Sequence, residues 1–298
     1  MIDLHIHTVY SDGLPTVKEI LTLAEERKLD YIAITDHDAI GAYEELNKMN
    51  IKDYFSGKII YGCELKFIHN RTQLEVIALG YDWEELNKSE WVHEESYHRN
   101  KRALLKTVLE KGKEAGLVYD NVEYNPKEKS EKSFYNELLR HEENLPILEK
   151  YKVKHAGDFF RNMVANPESP IYFDPTNYNL DFAGAVDLIH KCGGIALLAH
   201  PFGVYKMDNP KEVLDELIST GKLDGLECYH SSMTEENTEY LLNLCKKHNL
   251  LTSGGSDYHN YPGQVFAKAH AGRTDIPTEI ITGILERIGD RGIVEGSK

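Results

Sequence analysis

Within the first thirteen residues of the chain, His5, His7 and Asp12 are the side chains able to do chemistry. In an extended strand residues i and i+2 share a face, so His5 and His7 point one way while Leu4 and Ile6 point the other. Two imidazoles on one face are a chelating pair, and Asp12, in a Ser11-Asp12-Gly13 turn, brings a hard oxygen donor beside two nitrogen donors. A half-buried edge strand with two structural histidines is the competing reading of His-x-His taken alone. The same donor types recur at the ends of later apolar runs: His37 after residues 30–35, His200 after 195–199, and Asp257 with His259 after 250–255. Glu64 lies inside the apolar run 58–67, where an ionised carboxylate must be paired or metal-bound. Imidazoles and carboxylates without cysteine suit zinc, iron or manganese, whereas calcium or magnesium favours all-oxygen ligation. Eight such donors exceed the needs of one tetrahedral ion. Two or three ions sharing a carboxylate are therefore expected, an arrangement that clamps a phosphoryl group.

These donors need strands to present them. Residues 16–28 carry apolar side chains at Val17, Ile20, Leu21 and Ala24, and Thr16 with Glu19 forms a capping box, which together predict a helix. With the runs before and after it, this makes a βαβ unit, the building block of parallel sheets, whose chemistry collects at the C-terminal ends of the strands. Two β-rich runs follow, 58–67 and 74–81, read as a hairpin or two adjacent strands. Residues 83–179 change character, with helices expected near 94–116, 134–145 and 155–164, and no further βαβ unit. They are read as a helical insert that caps the mouth of a barrel formed by residues 1–82 and 180–298. The rhythm then resumes: helices near 182–191, from Pro210 onward, 234–248 and 277–288 alternate with short strands, one of which, 225–230, carries Glu227 and His230. About seven strands, most followed by a helix, favour a closed α/β barrel over a doubly wound sheet.

The composition limits the function classes. The 298 residues are 41% hydrophobic and 28% charged, a globular balance with length for one large α/β domain and an insert. Lysine and arginine number 34 against 49 aspartates and glutamates, a formal charge of −15. Such a surface repels polyanions and argues against coating long nucleic acid, but small phosphate esters are accessible where metal ions supply positive charge. Cys63, Cys192, Cys228 and Cys245 form no Cys-x-x-Cys pair and read as buried apolar residues of a reducing compartment. No apolar run approaches the roughly 20 residues of a membrane helix, and no basic-then-apolar leader opens the chain, so a cytoplasmic protein without membrane contact is expected.

Seven ordered segments carry a family resemblance: His5-x-His7, Ser11-Asp12-Gly13, Thr35-Asp36-His37-Asp38, Gly62-Cys63-Glu64, Leu198-Ala199-His200-Pro201, Gly225-Leu226-Glu227 and Gly255-Ser256-Asp257-Tyr258-His259. Together they resemble the motifs of the PHP (polymerase and histidinol phosphatase) family. The resemblance implies a distorted (β/α)7 TIM-like barrel, a multinuclear metal centre and hydrolysis of phosphate esters. The insert resembles that of the stand-alone branch, which includes nucleotide phosphatases and an RNA 5′-to-3′ exonuclease. Carried over by position, the resemblance implies one ion on His5, His7, Glu64 and Asp257 and a second on Asp12, His37 and His259. A third would use Glu64, His200 and a histidine two residues before the family's Leu-Gly-Tyr, a position held here by Ile77. The third site is then weak, absent, or completed by a substitute such as His230. A second departure is Ala156-Gly157-Asp158, where the family's insert often carries a basic residue and a histidine.

The expected activity is hydrolysis of a small phosphomonoester, a nucleotide or nucleotide 3′,5′-bisphosphate, by in-line attack of a metal-bridging hydroxide. His230 is the candidate general acid, and Arg99 with Arg102, at i and i+3, are candidates to bind a second phosphate or a carboxylate. The alternatives are a histidinol-phosphate phosphatase, and a non-catalytic metal-binding barrel that acts through its insert.

Overall fold

The computed structural model describes residues 1–126, 128–203 and 209–295. The chain divides into two compact units: Met1–Phe67, Leu74–Glu94 and the region from Leu180 onward form the first, and Ile68–Gln73 with Glu95–Asn179 the second.

The first unit is built on seven strands, β1 (Ile2–Ile6), β2 (Tyr31–Ile34), β3 (Lys58–His69), β4 (Thr72–Leu79), β5 (Ile195–Leu198), β6 (Gly225–His230) and β7 (Leu251–Gly255), hydrogen-bonded in that order. β1, β2 and β3 pair in parallel, as do β5, β6 and β7. The ends of the series meet, because Asp257 N–H donates to His5 O and His7 N–H to Tyr258 O, both at 2.9 Å. The result is a nearly closed α/β barrel, as the spacing of strands and helices predicts. Its distortion is at β4, which runs antiparallel to β5. Only Asn70 and Arg71 separate β3 from β4, both with φ near +50 to +65°, the tight turn of a hairpin rather than a helical crossover.

Helices cover the outside for reasons visible in the sequence. Helix Val17–Glu26 buries Val17, Ile20, Leu21 and Ala24 and is started by Thr16, whose hydroxyl accepts from Glu19 N–H while Glu19 Oε2 accepts from Thr16 N–H at 2.7 Å. Helices Phe182–Lys191, Pro210–Ser219, Glu235–His248 and Ile281–Ile288 likewise bury an apolar face, and Asp181 and Thr234 cap the first and third as Thr16 does. Proline at the start of Pro210–Ser219 fits because the first N–H of a helix has no partner there. Inside the barrel Ile2, Leu4, Ala33, Ile60, Ile77 and Leu197 form a closed apolar layer, each buried. Full burial of one such aliphatic side chain is worth about 1.5–3 kcal/mol, so this layer is a rigid floor for whatever lies at the strand ends.

The second unit has its own core of Leu105, Val108, Phe134, Leu138, Phe159 and Met163. It contains helices Glu94–Glu114, Ser130–Leu138, Leu145–Lys150 and Ala156–Phe159, the last continuing as one π turn over Phe160–Val164. The helix expected over 134–145 is broken at Leu139, and His141–Asn144 form the entry to the next one. No helix among the described residues is long and apolar enough to cross a membrane.

Candidate metal centre

The strand ends and the loops after them converge nine donors into one cluster. His5 on β1 and His7 just past its end have no solvent exposure, and their Nε2 atoms are 3.1 Å apart. Glu64 Oε2, on β3 and equally buried, stands 3.3 Å from His5 Nε2 and 3.4 Å from His7 Nε2. Asp257 Oδ1 completes this group at 3.5 and 3.1 Å from the same two nitrogens. Beside it His7, Asp12, His37 and His259 bring ligand atoms within reach of a common ion. Asp12 Oδ1 is 2.9 Å from His259 Nε2 and 3.7 Å from His37 Nε2. His200 Nε2 meets Glu64 Oε1 at 2.9 Å, and His230, buried at the end of β6, turns Nε2 to 3.3 Å from Asp257 Oδ2. His5, His200 and His230 form a further group with ligand spacing.

The backbone is shaped for this convergence. A Cβ on Gly255 would lie 2.1 Å from the His5 Cβ, and one on Gly13 would lie 2.5 Å from the His7 carbonyl carbon, so only glycine lets β7 and the Asp12 turn press against β1. Asp257 and His200 sit at φ +53° and +26°, left-handed conformations that non-glycine residues hold only when neighbours fix them. Two more carboxylates do the fixing. Asp36 accepts from Thr8 N–H, Thr8 Oγ1 and Ser11 Oγ at 2.6–2.7 Å, which sets the Asp12 turn. Asp3 accepts from Ser256 N–H, Ser256 Oγ and Ala267 N–H at 2.5–3.0 Å, which sets the Asp257 loop.

Hydrogen bonds also choose which ring nitrogen faces the centre. His5 Nδ1 is 2.9 Å from Glu227 Oε1 and His259 Nδ1 is 2.9 Å from the Asp257 carbonyl. Acceptors at Nδ1 place the proton there and leave the Nε2 lone pair for a metal. Burial disfavours a charged His5, yet the carboxylates of Glu227, Glu64 and Asp257 outweigh it and raise its pKa well above the ordinary value. His200 behaves alike: against burial, the bond to Glu64 and the charges of Glu64, Glu75 and Glu227 raise it to about 9. His7 goes down, through burial and the neighbouring His259, and burial with the ammonium of Lys66 drives His37 down to about 3. Burial opposes ionisation of Glu64 and Asp257, but the facing histidines hold both carboxyls well below their usual range.

The donors fit divalent ions. Glu64 Oε2, His37 Nδ1 and His230 Nε2 are buried without a hydrogen-bond partner, and the first two stand only 2.9 Å apart. Buried polar atoms are left in that condition at sites made for an ion. The position expected to complete a third site does not do so: Ile77 is fully buried in the barrel floor with its Cα paired to Leu197. Glu75, Glu227, Asp3 and Asp36 belong to the centre or its supports, and the sequence reading gave none of them a role. Arg99 and Arg102 lie in the second unit, where Arg102 bonds Glu95 and stacks its guanidinium over Tyr124 at 5.6 Å.

Comparison with known proteins follows the geometry. The chain is 26% identical over 261 residues to the 5′-3′ exoribonuclease Rnm of Escherichia coli, covering 86% of this chain and 84% of that protein. It is 28% identical over 269 residues to a 3′,5′-nucleoside bisphosphate phosphatase of Chromobacterium violaceum, covering 88% of each. A solved structure described as an amidohydrolase from Chromobacterium violaceum, with bound sulfate and no metal, shares the fold with a TM-score of 0.68 at 22% identity, covering 100% of this chain and 98% of that one. The family model for the PHP domain matches residues 3–169, more than half of the sequence, and on that match the chain belongs to the PHP domain family.

Proposed function

We propose that this chain hydrolyses a small phosphomonoester, with a nucleotide 3′,5′-bisphosphate as the first substrate to test. The chain is a metal-dependent hydrolase of phosphate esters; the ester's leaving group is what the proposal adds. The observation that carries it is the facing pair of His5 Nε2 and His7 Nε2, 3.1 Å apart, with Glu64 and Asp257 oxygens within 3.5 Å of both. Two imidazoles and two carboxylates packed this closely need positive charge among them, a metal ion or, without it, the protons that the metal displaces.

In this reading His5, His7, Glu64 and Asp257 hold one ion, and Asp12, His37 and His259 hold another. Manganese, zinc and iron all suit such mixed donors. When bound, divalent ions supply activated water near neutral pH and neutralise charge on the phosphoryl oxygens. Glu227 orients His5, Asp36 and Asp3 fix the two loops, and His230 protonates the leaving alkoxide. Arg99 and Arg102 are the candidates for a second phosphate, and the second unit is the candidate cap.

Removal of nucleotides from an RNA 5′ end is the second reading, favoured by the exoribonuclease relative. A net charge of −15 disfavours binding along an RNA, but an enzyme that grips one end needs only local positive charge from its ions.

The test is a panel of adenosine 3′,5′-bisphosphate, AMP, histidinol phosphate and a 5′-phosphorylated oligoribonucleotide, offered to chelator-stripped protein with manganese, zinc or iron restored. Phosphate release from the bisphosphate with manganese, lost in a His7→Ala, Asp257→Ala double variant, is the expected result. Turnover of histidinol phosphate alone, or of the oligonucleotide alone, replaces the substrate. Metal uptake without turnover of any ester overturns the enzymatic reading.

A further inference from the structure

The missing histidine at position 77 has a neighbour on its own face of β4, since residues i and i+2 of a strand point the same way. That neighbour is Glu75, 3% exposed. The antiparallel step from β4 to β5 sets it beside His200: Ala199 N–H donates to Glu75 O at 3.0 Å, and Glu75 Oε2 lies 3.4 Å from His200 Nε2. Its other oxygen, Oε1, is 3.4 Å from His37 Nδ1. The same His200 Nε2 is 2.9 Å from Glu64 Oε1, and His37, Glu64 and Glu75 offer ligand atoms within reach of one ion. Glu64 Oε2 and His37 Nδ1, two of the orphaned buried atoms, open onto this group. Lys66, whose ammonium pairs with Asp38 at 3.0 Å, also lies close enough to Glu75 to feel its charge.

We propose that Glu75 supplies the ligand that Ile77 does not, so that Glu64, Glu75 and His200 hold a third divalent ion through two carboxylates and one imidazole. The inference rests on the metal-dependent reading above. Exchanging an imidazole for a carboxylate makes the donor set harder and more negative, so this ion is manganese or magnesium in preference to zinc. The centre then differs among its sites, with the third the most oxygen-rich.

The experiment is a manganese titration of chelator-stripped full-length protein, following free Mn²⁺ by electron paramagnetic resonance and bound metal by elemental analysis. Wild type takes up three ions per chain. Glu75→Gln takes up two, with the affinity of those two unchanged and the thermal melt of the metal-free protein preserved. Glu75→His shifts the third site's preference toward zinc at least tenfold. Should Glu75→Gln not fold, Glu75→Asp decides, with third-site affinity at least fivefold weaker. Wild-type stoichiometry and affinity in Glu75→Gln, or in Glu75→Asp, overturn the assignment, as does a wild-type limit of two ions. A wild type that binds no manganese, zinc or iron instead removes the metal-dependent reading itself.

Discussion

Glu227 touches no proposed ion, yet its removal should be felt by the metal. Its Oε1 lies 2.9 Å from His5 Nδ1 and its Oε2 accepts from His200 N–H at 2.8 Å, so one carboxylate fixes the ring of His5 and the strained backbone of His200 together. In Glu227→Gln the single amide oxygen can accept from only one of these two N–H groups: that bond becomes neutral, losing about 1 kcal/mol, and the other is lost because an NH2 then faces an N–H, at about 1.5 kcal/mol or more. The sum, about 2.5 kcal/mol, corresponds at its upper limit to roughly 70-fold in metal affinity, inside the 10–100-fold range typical of carboxylates that orient a ligating histidine. The assay is calorimetric titration of manganese into stripped wild type and variant, with kcat measured at saturating metal. The metal-free variant should also melt a few degrees lower, because both bonds are present without metal. Affinity and kcat both within twofold of wild type would refute the orienting role. A lowered metal-free stability with metal affinity and kcat unchanged would reassign Glu227 to scaffolding.

Two further outcomes follow from the same geometry. Because His5 lies well above its ordinary pKa and His200 is at about 9 in the metal-free centre, both carry protons at pH 7 that an incoming ion must displace. Titrations in buffers of unlike ionisation heat should report release of about two protons at pH 7, with affinity rising toward pH 9, and no release would contradict it. The sign for the metal-free fold is opposite: groups raised above their unfolded pKa stabilise it below pH 6.5 and lose that contribution as pH climbs through 9, so its melting temperature should fall over that window. Away from the centre, Thr16→Ala removes the cap of helix Val17–Glu26 and should cost about 1 kcal/mol, or roughly 2–4 °C in melting temperature, with turnover unchanged. A loss of turnover equal to that of a ligand variant would show that this helix holds the site as well as the fold.

How much of this was legible beforehand depends on whether a signal is local. His5 and His7 declare themselves through the two-residue period of a strand, and Glu64 through being an acid in an apolar run. The hairpin into β4 is half legible: runs 58–67 and 74–81 read as a hairpin or as two adjacent strands, and Asn70 suits a left-handed turn while Arg71 gives no such sign. Glu75 is a different failure: it sits in Leu74-Glu75-Val76-Ile77 as conspicuously as Glu64 does in its own run, and the same criterion applied there would have found it. What that criterion cannot do is sort the acids it finds. Asp3, Asp36, Glu64, Glu75 and Glu227 are all buried in or next to strands. Asp3 and Asp36 meet N–H and O–H donors from Ser256, Ala267, Thr8 and Ser11, and their charge is satisfied without a cation. Glu227 meets one imidazole and one amide, which makes it an orienter. Glu64 and Glu75 lie among the ring nitrogens of His5, His7, His37 and His200. The difference between a supporting acid and a ligating one is therefore the kind of group packed around it, backbone amides and hydroxyls or metal-ligating imidazoles, and the amides and hydroxyls come from residues as far as 264 positions away, as Ala267 is from Asp3.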